Sequence, residues 1–489
     1  MQNLTPLFPG FHLQTLRRTP RSAQQKLAET LEQLRQKSFS QLGECLGKFI
    51  PTHYLRPTKS GALSRRRVFS KENTFWAFFS QVLDADGGCQ EVVRKIQAFA
   101  AMKAKPLPSS STAAYCQARK KLDLPSLEAI LQQTAQRLQV VADPGRLNGR
   151  RVIVVDGTGL SMPDTVANQQ VWPQPRSQQP GCGFPRAALC ACFCLQTGVV
   201  LSYEVGNKHS HELPLLRKQW ATFNPGDIFL GDKGFCSYYD VFHLHERGVD
   251  SVITLARRIP VTEMEAVQVL GDNDLLIQWK KPVRNHASSY SQAEWEGLPN
   301  TLVLRQIKVI VKHPGFRVTA FYLITTLLDP EAYPASDLAD LYLQRWDVEL
   351  FFRDIKTTMG MDILRCKTPD MVRKEILMHL IVYNGIRCLM GEAAKAQGVR
   401  VRRLSFKGSV QALRQWEPHL NQAKLSRQER RQVLERLYES IAGKRVPERP
   451  GRSEPRAVKR RPKPYQLLTV PRLEMKETKH RGKTRAKTP

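Results

Sequence analysis

The sequence predicts a mixed α/β fold, and three features predict it. The β-branched apolar run RVIVVD (151–156) and the short apolar run DIFLGD (227–232) read as strands, and each ends in an acid. Strand-like and helix-like segments alternate around them, reading strand, strand, strand, helix, strand, helix, strand over residues 151–256. A chain of 489 residues with 41% hydrophobic content can bury a substantial core, and at ~100–200 residues per domain it holds roughly two to four domains.

Residues 1–145 read as a helical N-terminal region. AQQKLAETLEQLRQKSFSQLGECLGKFI, ENTFWAFFSQVL, GCQEVVRKIQAFAAMK and SSSTAAYCQARKKLDL carry the helical pattern, the last with a Ser cap. Arg119, Lys120 and Lys121 on that last segment suit a DNA-reading helix and equally a solvated basic face. DPGRLNG (143–149) is rich in turn formers and marks a boundary. Beyond RVIVVD, the segments RAALCACFCLQ and GVVLSYEV form a hairpin about a turn containing Gly198. HELPLLRKQWATF is a helix, DIFLGD a strand, FCSYYDVFHLHERG a helix and DSVITLA (250–256) a buried strand.

Residues 258–328 become polar and alternating, in DLLIQW, LVLRQIKVIVK and FRVTAFYLITTLL, which predicts an antiparallel β-rich insertion. Helix returns in ASDLADLYLQRWDVELFFRDIKTT and DMVRKEILMHLIVYNGIRCLMGEAAKA, so one region spans 146–400 and two basic helices follow over 401–443. Residues 444–489 hold sixteen Lys and Arg against four Glu, with many prolines, and predict an extended, weakly ordered basic tail.

The formal net charge of +31 and pI of about 10.0 point to a polyanionic partner and a salt-dependent association. Ribosomal and nonspecific basic proteins share that signature, so charge alone gives a class of partner and no chemistry. No apolar run reaches the ~18–20 residues of a membrane span, and MQNLTPLFPGFHLQTLRRTP lacks the apolar stretch of a secretory signal. The expected place is the cytoplasm, in contact with nucleic acid. Cys190, Cys192 and Cys194 share one strand face at period two and read as buried core thiols in preference to zinc ligands. His209 and His211, in NKHSHE, precede a helix without a third partner and read as solvent-facing.

Three acids stand out by position: Asp156 and Asp232 at strand ends, and Glu349 within LYLQRWDVELFFRDIKTTMG (341–360). At about 100° per residue, Tyr342, Arg345, Glu349 and Lys356 fall within about 60° of one another and form a polar stripe, while Leu341, Val348, Phe351, Phe352 and Ile355 take much of the remaining circumference. A lone Asp after a strand is more often a cap or a solvated carboxylate. Three converging carboxylates repel, and two Mg²⁺ ions bridged by them remove the repulsion and leave positions open for phosphate oxygens. A pair of such ions ~4 Å apart serves an in-line phosphoryl transfer. Arg can hold a phosphate by two parallel hydrogen bonds and Lys supplies a mobile point charge. The alternative is that Arg345 and Glu349 merely brace an exposed helix as an i, i+4 pair.

The spacing of Tyr342, Arg345, Glu349 and Lys356 resembles the Tyr-Arg-Glu-Lys signature of the IS-four group of bacterial insertion-sequence transposases. The order Asp156 in VVDGTG, Asp232 in LGDKGF and Glu349 beyond a β-rich insertion is similar to the Asp-Asp-Glu triad of that group. The resemblance covers about 150–400, and more loosely the N-terminal region and the tail. It implies a ribonuclease-H-like mixed sheet flanked by helices, interrupted by the insertion at about 258–328, with a helical N-terminal DNA-binding region and a basic C-terminal tail. It further implies that Asp156, Asp232 and Glu349 are catalytic metal ligands for two Mg²⁺, replaceable by Mn²⁺, and that Tyr342, Arg345 and Lys356 contact phosphates near the cleaved end. An aromatic that stacks on a flipped base would be Phe321 or Tyr322 in the insertion, or Trp346 beside Arg345. The implied partners are double-stranded DNA, as transposon ends and as target, and a second copy of the chain, acting by a cut-and-paste route. Two rivals are a ribonuclease-H-like nuclease without strand transfer and a noncatalytic DNA-binding descendant; the three intact acids argue against the latter.

Overall fold

The computed structural model describes residues 46–447 apart from 58–59, 65–67, 103–105, 142–146, 177–178, 180, 208–209, 256–263, 285–289, 311–319 and 421–425, together with 474, 476–480 and 483–487. Most of the first expected helix, His209 and most of the tail lie outside the described residues.

Four helices come first: α1 (Lys71–Leu83), α2 (Cys89–Met102), α3 (Ala113–Lys120) and α4 (Leu124–Val141). The Ser70 hydroxyl caps α1 by accepting from the Asn73 amide. The cap of α3 is Thr112, which makes no side-chain bond, so the Ser cap expected there is absent; Ser111 instead accepts from the Ala113 amide one step earlier. Then come β1 (Val152–Ser161), α5 (Val166–Val171), β2 (Arg186–Cys194), β3 (Val200–Asn207), α6 (Glu212–Arg217), β4 (Ile228–Gly231), α7 (Tyr238–Glu246) and β5 (Asp250–Thr254). The insertion supplies β6 (Met264–Gly271), β7 (Asp274–Lys280), α8 (Gln292–Glu296), β8 (Thr301–Ile310) and β9 (Ala320–Thr325). After it come α9 (Ala335–Leu343), α10 (Asp347–Arg353), α11 (Pro369–Ala396), α12 (Phe406–Leu420) and α13 (Arg427–Gly443). A separate hairpin of β10 (Lys476–His480) and β11 (Lys483–Lys487) departs from the extended tail predicted there.

Nine strands form one sheet in the order β3-β2-β1-β4-β5-β9-β8-β7-β6. Strands β1, β4 and β5 are parallel, β2 runs antiparallel to β1 and β3 antiparallel to β2, and the order 3-2-1-4-5 with these polarities is the ribonuclease-H-like arrangement. The insertion is antiparallel as predicted, yet it is no detached module. Strand β9 pairs with β5 through Val252–Thr325, Ile253–Ile324 and Thr254–Leu323, so the sheet runs unbroken into β8, β7 and β6. At the far edge β6 is interrupted by register shifts at Ala266/Gln268 and Val269/Gly271, and it exposes Val267 and Val269.

Helix α11 is buried along most of its length and docks on the β2–β3 hairpin. The Asn384 amide group donates to the Val200 carbonyl and accepts from its N–H, both at 2.9 Å, and the Tyr383 hydroxyl donates to the Gly198 carbonyl at 2.7 Å. Gly198 is left-handed at φ +73°, as the turn requires. Cys190, Cys192 and Cys194 are buried free thiols, and burial pushes Cys192 up to about 12 and Cys190 further. Ala191 and Phe193 are also fully buried, because layers cover both faces of β2. Among the described residues no helix is long and apolar enough to cross a membrane.

Arg305 on β8 is fully buried and ties the insertion to the segment leading into α9. Its Nε donates to Asp274 Oδ1 at 2.8 Å and its Nη2 to Oδ2 at 2.5 Å, while Nη1 donates to the Tyr333 carbonyl at 2.6 Å, just before α9. Removing one partner of a buried ion pair strands the other charge. Arg305→Met is therefore expected to destabilise the protein by about 3–5 kcal/mol in urea unfolding, and adding Asp274→Leu should recover much of that loss; equal stability of the single and double variants would mean that the pairing contributes nothing.

Candidate active site

Strand register assembles the first part of the site. The parallel pairings Val154–Leu230 and Gly231–Ile253 continue, by two residues and one, to place Asp156, Asp232 and Thr254 in a row across β1, β4 and β5 at their carboxyl edge. That edge is where open α/β sheets receive ligands. Asp232 lies just past β4, and its carboxylate accepts from the Gly234 amide at 2.7 Å. Asp156 departs from its predicted position at a strand end: β1 runs on to Ser161, paired with β2 and, at Ser161, bridged to Ile363. It stands instead where the β1–β4 ladder stops, which opens the sheet beside it. Its Oδ1 accepts from the Gly157 amide at 2.8 Å.

The segment predicted as one regular helix is segmented. Helix α9 passes into a 3-10 turn at Gln344–Trp346, then α10, then a π-helical turn at Asp354–Thr358. The buried carboxylate of Asp354 in that last turn pairs with Arg387 Nη2 of α11 at 3.2 Å. The polar stripe consequently does not lie open on a surface. Tyr342 and Arg345 are buried, and the Tyr342 hydroxyl bonds to the Thr254 hydroxyl at the end of β5. Lys356 is half-buried, and its Nζ donates to the Thr158 hydroxyl on β1 at 2.9 Å. Between these two contacts stands Glu349, whose side chain is 52% exposed and lies 4.0 Å from Arg345 Nη2. Arg345 Nε is buried without a hydrogen-bond partner.

Electrostatics link helix and strands. Burial raises the Asp156 carboxyl to about 6; the Gly157 amide lowers it, Asp232 raises it, Arg345 lowers it and Glu349 raises it. Glu212, at the start of α6, is pushed to about 7 by burial and by the charges of Asp156 and Asp232. The sequence reading missed Glu212. The only signal was an acid directly after the β2–β3 hairpin, and nothing in one sequence says that α6 folds back over β1.

The structure thus brings Asp156, Asp232, Glu349, Arg345, Tyr342 and Lys356 to one edge. Of the aromatics, Phe321 and Tyr322 are half-buried, and the Phe321 ring packs 5.3 Å from that of Tyr342. Trp346 is 44% exposed, with the Arg345 guanidinium 5.0 Å from its ring centre. His211 is exposed and caps α6 without a side-chain bond. A cavity of about 560 Å³ lies elsewhere, against α10, α11 and α12, and includes none of the three acids. The acids at the edge offer carboxylate oxygens, the donor type of hard divalent cations, and burial, with crowding of like charge behind it, raises Asp156 and Glu212. Among the described residues no three His, Cys, Asp or Glu side chains stand close enough to hold an ion as they are. The fit lies in charge and donor chemistry, and a cation would have to draw the carboxylates together.

Residues 147–384, which include every residue of this edge, match the transposase DDE domain family. The chain is similar to the DDE transposases of the IS4 group. It is 24% identical over 433 residues to "Transposase InsG for insertion sequence element IS4" of Escherichia coli (strain K12), covering 87% of this chain and 92% of that one. It is 31% identical over 72 residues to "Transposase for insertion sequence element IS421" of Escherichia coli, covering 15% of this chain and 19% of that one. A piggyBac transposase synaptic complex with hairpin DNA is similar at a TM-score of 0.41 and 12% identity, over 87% of this chain and 89% of that one.

The Asp156 carboxyl keeps its proton to about pH 6 in the folded protein, against 3.8 for an ordinary Asp. The folded state therefore binds more protons than the unfolded state between about pH 4 and 6, and stability falls as pH rises through that window. In EDTA, Asp156→Asn is expected to be more stable than the parent at pH 7.5 by about 1–3 kcal/mol. The difference should shrink toward zero at pH 4, as read by thermal or urea unfolding. A parent and variant that melt alike at pH 7.5 would argue against a desolvated, charge-crowded carboxyl at Asp156.

Proposed function

We propose that this transposase binds the terminal inverted repeats of an insertion sequence, cuts DNA there by metal-dependent phosphoryl transfer, and joins the freed 3′ ends to target DNA by a cut-and-paste route. The observation that carries the reading is the row of Asp156 and Asp232 on adjacent parallel strands, faced by Arg345 and Glu349. Asp156, Asp232 and Glu349 would hold two Mg²⁺, or Mn²⁺, which supply Lewis acidity to phosphate oxygens and to the attacking oxygen. The remaining work belongs to the chain. Arg345, with an unpaired buried Nε, and Lys356 would hold phosphate oxygens beside the break, and Tyr342 would add a hydroxyl donor. Trp346 has the most open face for an unstacked base.

In the first step a water oxygen bonds to phosphorus and the bond to the 3′ oxygen breaks, leaving a 3′ hydroxyl and a 5′ phosphate. In the second the 3′ oxygen bonds to a target phosphorus and displaces a target 3′ oxygen. Two copies would act across paired ends in the bacterial cytoplasm, associated with the nucleoid while bound. A nuclease that cuts without joining would use the same edge; pre-cleaved ends incubated with a target plasmid separate the two, since only a transposase yields joined products.

Asp156→Asn, Asp232→Asn and Glu349→Gln should each reduce cutting of a terminal-repeat duplex to background while end binding in EDTA persists. Near-parental cutting by any one of these, shown to be folded, removes that residue from the ligand set. Lys356→Ala and Arg345→Ala should each lower the slope of log affinity against log salt by about one unit or less, and Glu349→Gln should leave it unchanged. Gel-shift titrations at several salt concentrations without Mg²⁺ check this, and unaltered slopes for both basic variants would exclude the phosphate contacts.

A further inference from the structure

Strand pleating sorts what surrounds the acids onto two faces of the sheet. Thr158 lies two residues beyond Asp156 and shares its face; there Lys356 bonds to β1, and Tyr342 reaches Thr254 in the same row. Gly157, Gly159 and Ser161 alternate onto the other face. Ser161 stands opposite Arg186, the first residue of β2, and on its free side it is bridged to Ile363. The Ser161 amide donates to the Asp362 carbonyl at 3.1 Å and the Leu364 amide to the Ser161 carbonyl at 2.8 Å, so the chain beyond the π turn briefly prolongs the sheet. Residues paired across a ladder point to the same side of the pleat, and Arg186, Ser161 and Ile363 form a row on this second face. Ile363 is 66% exposed, and Phe184, two residues before Arg186, is 55% exposed. The Met162 amide donates to the Pro185 carbonyl at 3.3 Å, which holds Phe184 beside the end of β1.

The Arg186 guanidinium leans back along β1 toward the acids. A Cβ added at Gly159 would fall 2.8 Å from its Nε, 2.8 Å from its Nη2 and 3.1 Å from its Cζ, so that glycine is the floor on which the side chain lies. Gly159 is three residues from Asp156, about 10 Å along the strand. Arg186 is exposed, and among the described residues no acid or hydrogen bond engages its guanidinium. Asp362 precedes Ile363 and takes the alternate side of the pleat. An unpaired guanidinium suits a phosphate, and exposed Phe and Ile beside it suit a sugar or a base step of a bent duplex. Joining brings two DNA segments to one set of acids, and an in-line displacement sets the attacking and leaving oxygens on opposite sides of the phosphorus. Lys356 and Tyr342, assigned to the element's end, come from the Asp156 face, which leaves this face to the second duplex. We propose that Phe184, Arg186 and Ile363 are the docking surface for the target duplex, with Arg186 on a backbone phosphate and the two apolar side chains against a sugar or base step. The proposal rests on the joining reaction proposed above. Gly159 is explained with it, since any side chain there would lift the guanidinium off β1.

Two reactions of the full chain with Mg²⁺ test it: cutting of an intact terminal-repeat duplex, and joining of pre-cleaved ends to a target plasmid. Arg186→Ala should lower the ratio of joining to cutting by about tenfold, and Phe184→Ser combined with Ile363→Ser should lower it as well. Gly159→Ala keeps every charge but displaces the guanidinium, and should act in the same direction. Raising the plasmid concentration should restore joining by Arg186→Ala, because the defect is in target affinity. A parental ratio in either Arg186→Ala or the apolar double variant overturns the proposal. So does an equal loss of cutting and joining that excess plasmid leaves unrelieved. If the parent cuts but joins nothing, the joining reaction itself fails and this surface with it; if parent and variants join alike, only this surface fails. Should Arg186→Ala not fold, as read by its melting temperature, Gly159→Ala decides, and a parental ratio in that variant overturns the proposal.

Discussion

The acidic edge depends on how one segmented helix is pinned across three strand ends. Tyr342 is bonded to Thr254 on β5 and Lys356 to Thr158 on β1, so the stretch between them spans β4 and is held at both ends. Everything that faces the acids from above, Arg345 and Glu349 included, inherits its position from those two contacts. On the other side the Phe193 ring of β2 packs 5.5 Å from Phe351 and 5.1 Å from Phe352, and Arg387 fixes the π turn through Asp354. Burying a guanidinium is tolerable here because Arg387 also donates to the Tyr383 hydroxyl at 2.9 Å and lies 5.0 Å from the Phe351 ring centre.

Carboxylates come to the edge from the sheet and from α6, while the segmented helix brings Arg345 and Lys356 together with Glu349. The acid-bearing layer is desolvated enough that Asp156 and Glu212 resist ionisation, and the chain as a whole carries +31. A polyanion is attracted to the body and repelled by this one strip, so a cation in the strip would reconcile the two.

Much of this was legible in the sequence. RVIVVD, rich in β-branched residues, and the short apolar run DIFLGD both read as strands, and the acids that end the two runs stand at one level because register carries both strands there. The i, i+3 and i, i+4 spacings named Tyr342, Arg345 and Glu349 as neighbours, which they are. What the sequence could not give was direction. Periodicity puts residues on a common face but does not say what covers that face, so Tyr342 and Arg345 were expected on a surface and are buried. An ideal pitch of ~100° per residue also hides the 3-10 and π turns. Glu212 was invisible because its meaning comes from a fold-back of α6 onto β1, a contact between segments far apart in the chain. The joining of β9 to β5 is of the same kind, since alternation marks strands without naming their partners.

The two register shifts in β6 bear on how the molecule behaves among copies of itself. A nine-stranded sheet ends in a row of unpaired amides and carbonyls, and this one also shows Val267 and Val269 to solvent. An even, straight edge of that kind is a template for a neighbour's strand. Each irregularity kinks the strand and breaks the regular spacing of its free donors and acceptors. The insertion can therefore lengthen the sheet to nine strands without turning its last strand into a seed for aggregation. Straightening β6 by deleting one bulged residue would be paid for in solubility.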